Sequence, residues 1–368
     1  MHFDRRDVLK TGAALTLAAA LPRLTSAEGI FALRPGHWRN FEITTKVEIA
    51  RVAGTTQAWI PLPSVHEEDW FKSGGSRWTT NGEATQARDP HYGAEMLHVE
   101  WAEGEKAPVV EVTSKISTQD RTVDLSMPGT ASIELSAADR KFNTKGTELI
   151  PVDGIVKQAS DQIVTGKKTE IEKTHAIYEW IVENTFRDPK VRGCGLGDIA
   201  SMLTTGNLGG KCADLNALFV GLVRAAGIPA RDVYGLRVAP SILGYKALGA
   251  NSEMITKAQH CRAEVFLSGY GWVATDPADV RKVVLEEPPG NLTIDNPKVD
   301  AARKTLFGAW EGNWLAYNSA HDVALPGSKG PKIGFLMYPQ AESGDLRLDC
   351  LDADAFKYTI KSKELTSA

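Results

Sequence analysis

The hydrophobic pattern of this chain changes period at LIPVDG (residues 149–154), and that change bounds the folds open to it. Upstream, from about His37 to Asp124, short runs alternate apolar and polar residues. FEITTKVEI, TQAWIPLP, MLHVEWA and PVVEVTSKIS are separated by Gly, Pro and Asn clusters. Successive strand side chains point to opposite faces, so this alternation predicts half-buried antiparallel strands packed as a sandwich. Downstream, KKTEIEKTHAIYEWIVENTF places Ile171, His175, Tyr178 and Val182 at the spacing of one helical face. A helix of about four turns is expected there, with His175 packed into its apolar stripe rather than reactive. The chain therefore reads as α+β, with a sandwich-like region over 28–150, a core over 151–287 and a C-terminal extension over 288–368 packed on that core.

Residues 1–27 are set apart from this reasoning. MHFDRRDVLKTGAALTLAAALPRLTSAEG joins Arg5 and Arg6 to a weakly apolar Ala/Leu stretch and then small residues. It resembles a Tat-type export signal cleaved after Ala27, which implies a periplasmic or secreted mature chain. That apolar stretch falls short of the ~20 residues needed to span a bilayer, and no other run reaches them. The formal net charge is -4, with the signs mixed along the chain. No basic tract interleaves with aromatics, which argues against a nucleic-acid partner.

The four cysteines, Cys194, Cys212, Cys261 and Cys350, are too few for a disulfide scaffold. In an oxidising compartment Cys194 and Cys350 could tie the tail to the core, or remain two separate thiols. There is no C-x-x-C and no His-x-x-x-His, so no local zinc signature exists and no metal or cofactor is expected.

LGGKCADLNALF, residues 208–219, raises the sharper question of whether Cys212 is a nucleophile or a packing residue. Leu215, Leu218, Phe219, Leu222 and Val223 recur on one helical face, and Gly227 with Pro229 marks where that helix must stop. Cys212 then lies in the first turn, where the positive end of the helix dipole stabilises a thiolate. Gly209 and Gly210 let the backbone approach a substrate carbonyl, and the Cys212 amide is a candidate oxyanion donor.

A cysteine nucleophile needs a base, and the base needs an orienting group. HCRAEVFLSGYGWVATDP, residues 260–277, reads as a hairpin turning around SGYG. His260, Arg262, Glu264 and Phe266 share one strand face, while Cys261, Ala263 and Val265 share the other. A register pairing even-numbered residues with even puts Asp276 opposite His260 or one diagonal step away, whereas a slip by one turns it away. A Cys/His metal or redox site from Cys212, Cys261 and His260 is disfavoured, because Cys261 and His260 point to opposite faces.

Taken together, GGKCADLNALFVGLVRAAGIPAR and HCRAEVFLSGYGWVATDP resemble the transglutaminase-like superfamily over roughly residues 170–280. The resemblance implies a papain-like core with a Cys-His-Asp triad carried by Cys212, His260 and Asp276. It further implies an enzyme that cleaves or transfers an amide of a protein or peptide through a thioester. Many members open the strand with H-A-W, where this chain has His260-Cys261-Arg262, a departure expected to change the groove wall. No D-x-D-x-D-G loop suggests the calcium requirement of some members. The alternative is a scaffold or binding protein that keeps the fold without turnover.

Overall fold

The computed structural model describes residues 33–50, 53–127, 129, 133–352 and 356–365. The export segment, 1–27, lies outside them. Seven strands come first: β1 (Arg39–Glu48), β2 (Thr56–Pro61), β3 (Phe71–Thr80), β4 (Glu83–Arg88), β5 (Glu95–Trp101), β6 (Val109–Thr118) and the short β7 (Arg121–Thr122). In β1 the expected alternation is strict, with Phe41, Ile43, Thr45 and Val47 buried between half-exposed neighbours. Strands β3 and β4 have no such signal, because most of their residues face out and each lies at the edge of its sheet. Edge strands tolerate polar composition, which also blunts unwanted pairing.

The helical half begins with α1 (Ala137–Thr144), α2 (Gly154–Ile163) and α3 (Glu170–Asn184). A capping box at Thr169 and Glu172 starts α3, each residue satisfying the other's backbone. The buried side of α3 carries Thr174, Ile177, Tyr178, Ile181 and Val182. His175 is one position off that stripe, its side chain 53% exposed, lying edge-on to Phe307 and 3.6 Å from Glu179. It is therefore a surface histidine, not the packed one its spacing suggested.

After β8 (Phe186–Arg187), α4 (Ile199–Thr205) and β9 (Gly209–Gly210) comes α5 (Cys212–Ala225), in which every residue is buried. Beyond it run β10 (Ala230–Arg237), β11 (Gln259–Leu267), β12 (Gly271–Thr275), α6 (Pro277–Glu286) and α7 (Pro297–Thr305). The tail adds β13 (Ala309–Trp310), β14 (Trp314–Asn318), β15 (His321–Val323), β16 (Ile333–Phe335), β17 (Gln340–Ser343), β18 (Leu346–Arg347) and β19 (Lys357–Leu365).

Strands β12, β11, β10 and β14 form an antiparallel sheet in that order, and α5 packs on β10 and β11 with α2, α3 and α6 around it. Enclosure on all sides explains why α5 is apolar around its whole circumference. The two N-terminal sheets run β19-β1-β6-β3 and β18-β17-β2-β5-β4. They bury Val47, Ile60, Val99, Val110, Val112 and Phe356 in a shared core. Residues 288–368 thus supply a strand to the α5 sheet and strands to both N-terminal sheets.

Candidate functional site

The loop before α5 is tied to its first turn by one carboxylate. Asp214, the third residue of the helix, accepts backbone N–H bonds from Lys211, Leu196 and Gly197, each at 2.9 Å. Two glycines make room for it: a Cβ at Gly195 (φ +95°) would meet Asp214 Oδ2 at 1.8 Å, and one at Gly210 would meet Asp214 Cβ at 2.4 Å. The Ala213 N–H donates to the Cys194 carbonyl at 2.9 Å, which sets the Cys194 loop against the head of α5. Among the described residues no backbone acceptor takes the Cys212 N–H.

The hairpin adopts the even register, with Ala263 opposite Thr275 and Glu264 opposite Ala274. Continued by one pair this sets Asp276 beside Arg262, so His260 is its diagonal neighbour. Asp276 has already left the strand: it is the N-cap of α6, its carboxylate accepting the Asp279 N–H, with Pro277 at the first helical position. His260 Nε2 and Asp276 Oδ2 are 2.7 Å apart, and Asp279 Oδ2 lies 3.4 Å from the same nitrogen. Asn216, one turn along α5 from Cys212, donates to Asp276 Oδ1 at 3.1 Å and to the Cys261 carbonyl at 2.9 Å. Its own amide oxygen accepts the Ala278 N–H. Arg237 grips both oxygens of Asp279, at 2.5 and 2.7 Å.

These contacts separate the ionisation states. Thiol hydrogen bonds from Cys194 and Cys261, then the bond and charge of His260, outweigh burial and hold Cys212 well below the ordinary thiol range. Burial and Arg237 act to lower His260, but the charges of Asp279 and Asp276 win and raise it to about 9. Burial and the charge of Asp279 push Asp276 up, whereas Arg237 and His260 hold Asp279 well below the carboxylate range despite burial. The lowered Cys212 and the raised His260 both act toward a thiolate beside an imidazolium, with Asp279 as the more acidic of the two carboxylates behind the ring.

Cys212 and His260 form part of the wall of an open cleft of about 500 Å³. The tail closes its far side with Tyr338, Cys350, Phe356 and Tyr358. Tyr338 hydrogen-bonds Cys194 and is nearly buried. All four cysteines are free thiols, Cys194 and Cys350 both lining this cleft without a bridge.

Sequence reasoning missed several of these residues. Asp279 had a signal, since Asp-Pro-x-Asp is a helix start whose second acid returns to the cap. Asn216 had one too, as the polar residue in an otherwise apolar run four positions from Cys212. Arg237 and Tyr338 had none, being brought in by tertiary packing. The reading of Cys261 also needs correction. It does leave the His260 face, but α5 covers the face it joins, so its thiol reaches Cys212. Arg262 is not part of the cleft wall. It lies 5.4 and 4.8 Å from the ring centres of Trp310 and Trp314, and donates to the Glu311 carbonyl. Among the described residues, His260, Asp276 and Asp279 bring ligand-type atoms within 4.8 Å of one another. Those groups are already engaged with each other and with Arg237, the arrangement of an ion-pair network.

Residues 157–277 match the Transglutaminase-like superfamily, and residues 2–22 match the TAT (twin-arginine translocation) pathway signal sequence. The N-terminal match marks the chain for export, and no described helix is long and apolar enough to cross a membrane. An uncharacterized protein of Haemophilus influenzae is 37% identical over 328 residues, covering 85% of this chain and 87% of that one. A candidate cysteine protease from Cytophaga hutchinsonii superposes with a TM-score of 0.51 at 15% identity, over 90% of this chain and 100% of its own. The periplasmic domain of TgpA from Pseudomonas aeruginosa aligns at 14% identity over 69% of this chain and 90% of its own, with a TM-score of 0.33.

Proposed function

This chain belongs to the transglutaminase-like superfamily, and we propose that it is an exported cysteine enzyme that cleaves or transfers an amide of a protein or peptide. The observation that carries this reading is the placement of one imidazole. His260 is fixed by Asp276 through Nε2, which leaves Nδ1 for the Cys212 sulfur at the head of α5. In this reading the Cys212 thiolate attacks the amide carbonyl, and the oxyanion that forms is stabilised by the Cys212 N–H and the positive end of α5. The C–N bond breaks as the His260 imidazolium gives its proton to the departing amine, leaving a thioester. Neutral His260 then takes a proton from water or from a second amine, which attacks the thioester. The C–S bond breaks and the thiolate–imidazolium pair is restored. Asp276 keeps the ring in the tautomer and orientation this needs, and Asn216 and Arg237 hold the two carboxylates behind it.

Alkylation of the intact protein by iodoacetamide from pH 5 to 10, with each cysteine mapped by peptide mass spectrometry, tests the assignment. Cys212 should be the fastest thiol at neutral pH, and its rate should rise little between there and pH 8 because the thiolate is already formed. A faster Cys194, Cys261 or Cys350 would remove Cys212 from the role of nucleophile.

A further inference from the structure

The cleft beside Cys212 is cationic, although the whole chain carries a net charge of -4. Arg187, Arg192, Lys211, Arg237, Lys257 and Lys282 line it, and none of its described lining residues is acidic. Neutralisation from behind is incomplete. Arg237 is paired with Asp279 and Arg192 with Asp349. Arg187 and Lys282, however, share the single carboxylate of Glu286, which lies 3.7 Å from the lysine. Lys211 and Lys257 make no ion pair among the described residues.

The fold gathers these charges from separate elements. Arg187 lies on β8, whose pairing with β9 sets it beside Gly210, and Lys211 follows directly before Cys212. Lys282 comes from the middle of α6, whose N-terminus holds Asp276. Only 17% of its side chain is exposed. An ammonium so covered, beside Arg237 and Arg187, has as counter-charges only the shared Glu286 at 3.7 Å and Asp279, which is held by Arg237 and lies beyond ion-pair distance of it. It calls for an anion from outside. Burial and the charge of Arg237 push it down to about 8 against the attraction of Asp279 and Glu286.

We infer that this cleft recognises a carboxylate on the acyl-donor peptide, with Lys282, Arg187 and Lys211 as its receptor beside the sulfur. The inference rests on the proposed role of Cys212 and names the class of substrate delivered to it: an anionic peptide. The carboxylate is that of an acidic side chain or of a free C-terminus close to the scissile amide. Lys282 and Arg187 are specificity residues, and the cationic cleft also concentrates anions near the thiolate by long-range attraction.

The test uses paired probes on the full-length mature protein. Iodoacetate and iodoacetamide deliver the same electrophile with and without a carboxylate, and a thiolate in water favours the neutral reagent. At low salt Cys212 should instead react faster with iodoacetate, with saturation. That preference should fall roughly tenfold in Lys282→Gln, in Lys211→Gln, or in half-molar salt. Faster reaction with iodoacetamide at low salt, with a ratio insensitive to these changes, overturns the inference while leaving the nucleophile in place. Should Cys212 ignore both reagents, it is the nucleophile reading that fails, and calorimetry on Cys212→Ala decides the carboxylate site. Acetyl-Ala-Glu-Ala-amide carries a side-chain carboxylate, acetyl-Ala-Gln-Ala a terminal one, and acetyl-Ala-Gln-Ala-amide none. Tighter binding of either acid than of the neutral peptide, weakened by Lys282→Gln, upholds the site and identifies the source of the carboxylate. Equal or absent binding of all three overturns it.

Discussion

Asp276 does two jobs at once, and separating them decides how its variants should behave. It accepts from His260 and it caps α6. Asp276→Ala removes the cap as well, which costs about 1 kcal/mol of stability and blurs any loss of activity. Asp276→Asn keeps a capping oxygen but gives up the charge that favours the imidazolium. Turnover in that variant should drop by two or more orders of magnitude with little change in melting temperature, measured once a substrate is in hand. The pH profile should change with it. Wild-type His260 holds its proton up to about 9, so activity should fall as pH rises through that value. Without the Asp276 charge the falling limb should move to lower pH. A limb that stays in place would assign the high imidazole value to Asp279 alone, whose oxygen is 3.4 Å from the same nitrogen.

Strand β10 carries a comparable tension away from the cleft. Both carboxylate oxygens of Asp232 are buried without a hydrogen-bond partner, one of them 3.5 Å from His321 Nε2. Burial pushes Asp232 up to about 7 against the attraction of Arg224, while burial with Arg224 and Lys145 pushes His321 well down. A carboxyl raised on folding binds its proton more tightly in the native state than in the unfolded one. Stability from this residue is therefore greatest at low pH and is lost as pH rises from the ordinary aspartate range to about 7. Asp232→Asn should raise the melting temperature at pH 8, by a stability gain on the order of 2 kcal/mol, and the gain should shrink at pH 5. Thermal melts of both proteins at the two pH values check this, and an equal effect at both would show that the charge is not the cause.

At the scale of the whole molecule, the tail is a structural part of every sheet that matters. β19 pairs with β1, β17 with β2, and β14 with β10. Trp314 of β14 also donates to the His260 carbonyl at 3.0 Å, and Gly235 admits that strand because a Cβ there would lie 2.0 Å from the Leu315 carbonyl oxygen. A mature chain ending at Glu287 would expose three bare strand edges and lose Trp310, Trp314, Phe356 and Ile360 from the cores. It should show no cooperative thermal transition by circular dichroism. A cooperative melt from that fragment would mean that the chain up to Glu287 folds without the tail strands.

The amino-acid sequence alone was enough for whatever depends on neighbours within a few turns or one hairpin. The period-two runs of β1, β2, β5 and β6, the start of α5 at Cys212, and the presence of His260 and Asp276 on one hairpin are local facts with local causes. Even there, the phase of α3 was off by one position at His175, since a stripe read from composition does not say which of its edges meets the core. Only the tertiary structure could decide what approaches from far along the chain. It brought Cys261 to Cys212 by covering a strand face with α5, and set Arg237 behind Asp279 from the end of β10. It also turned Arg262 onto Trp310 and Trp314, and assembled a cationic cleft from β8, the head of α5 and α6. Such contacts leave no period in the sequence, because each is fixed by packing between elements rather than by spacing within one.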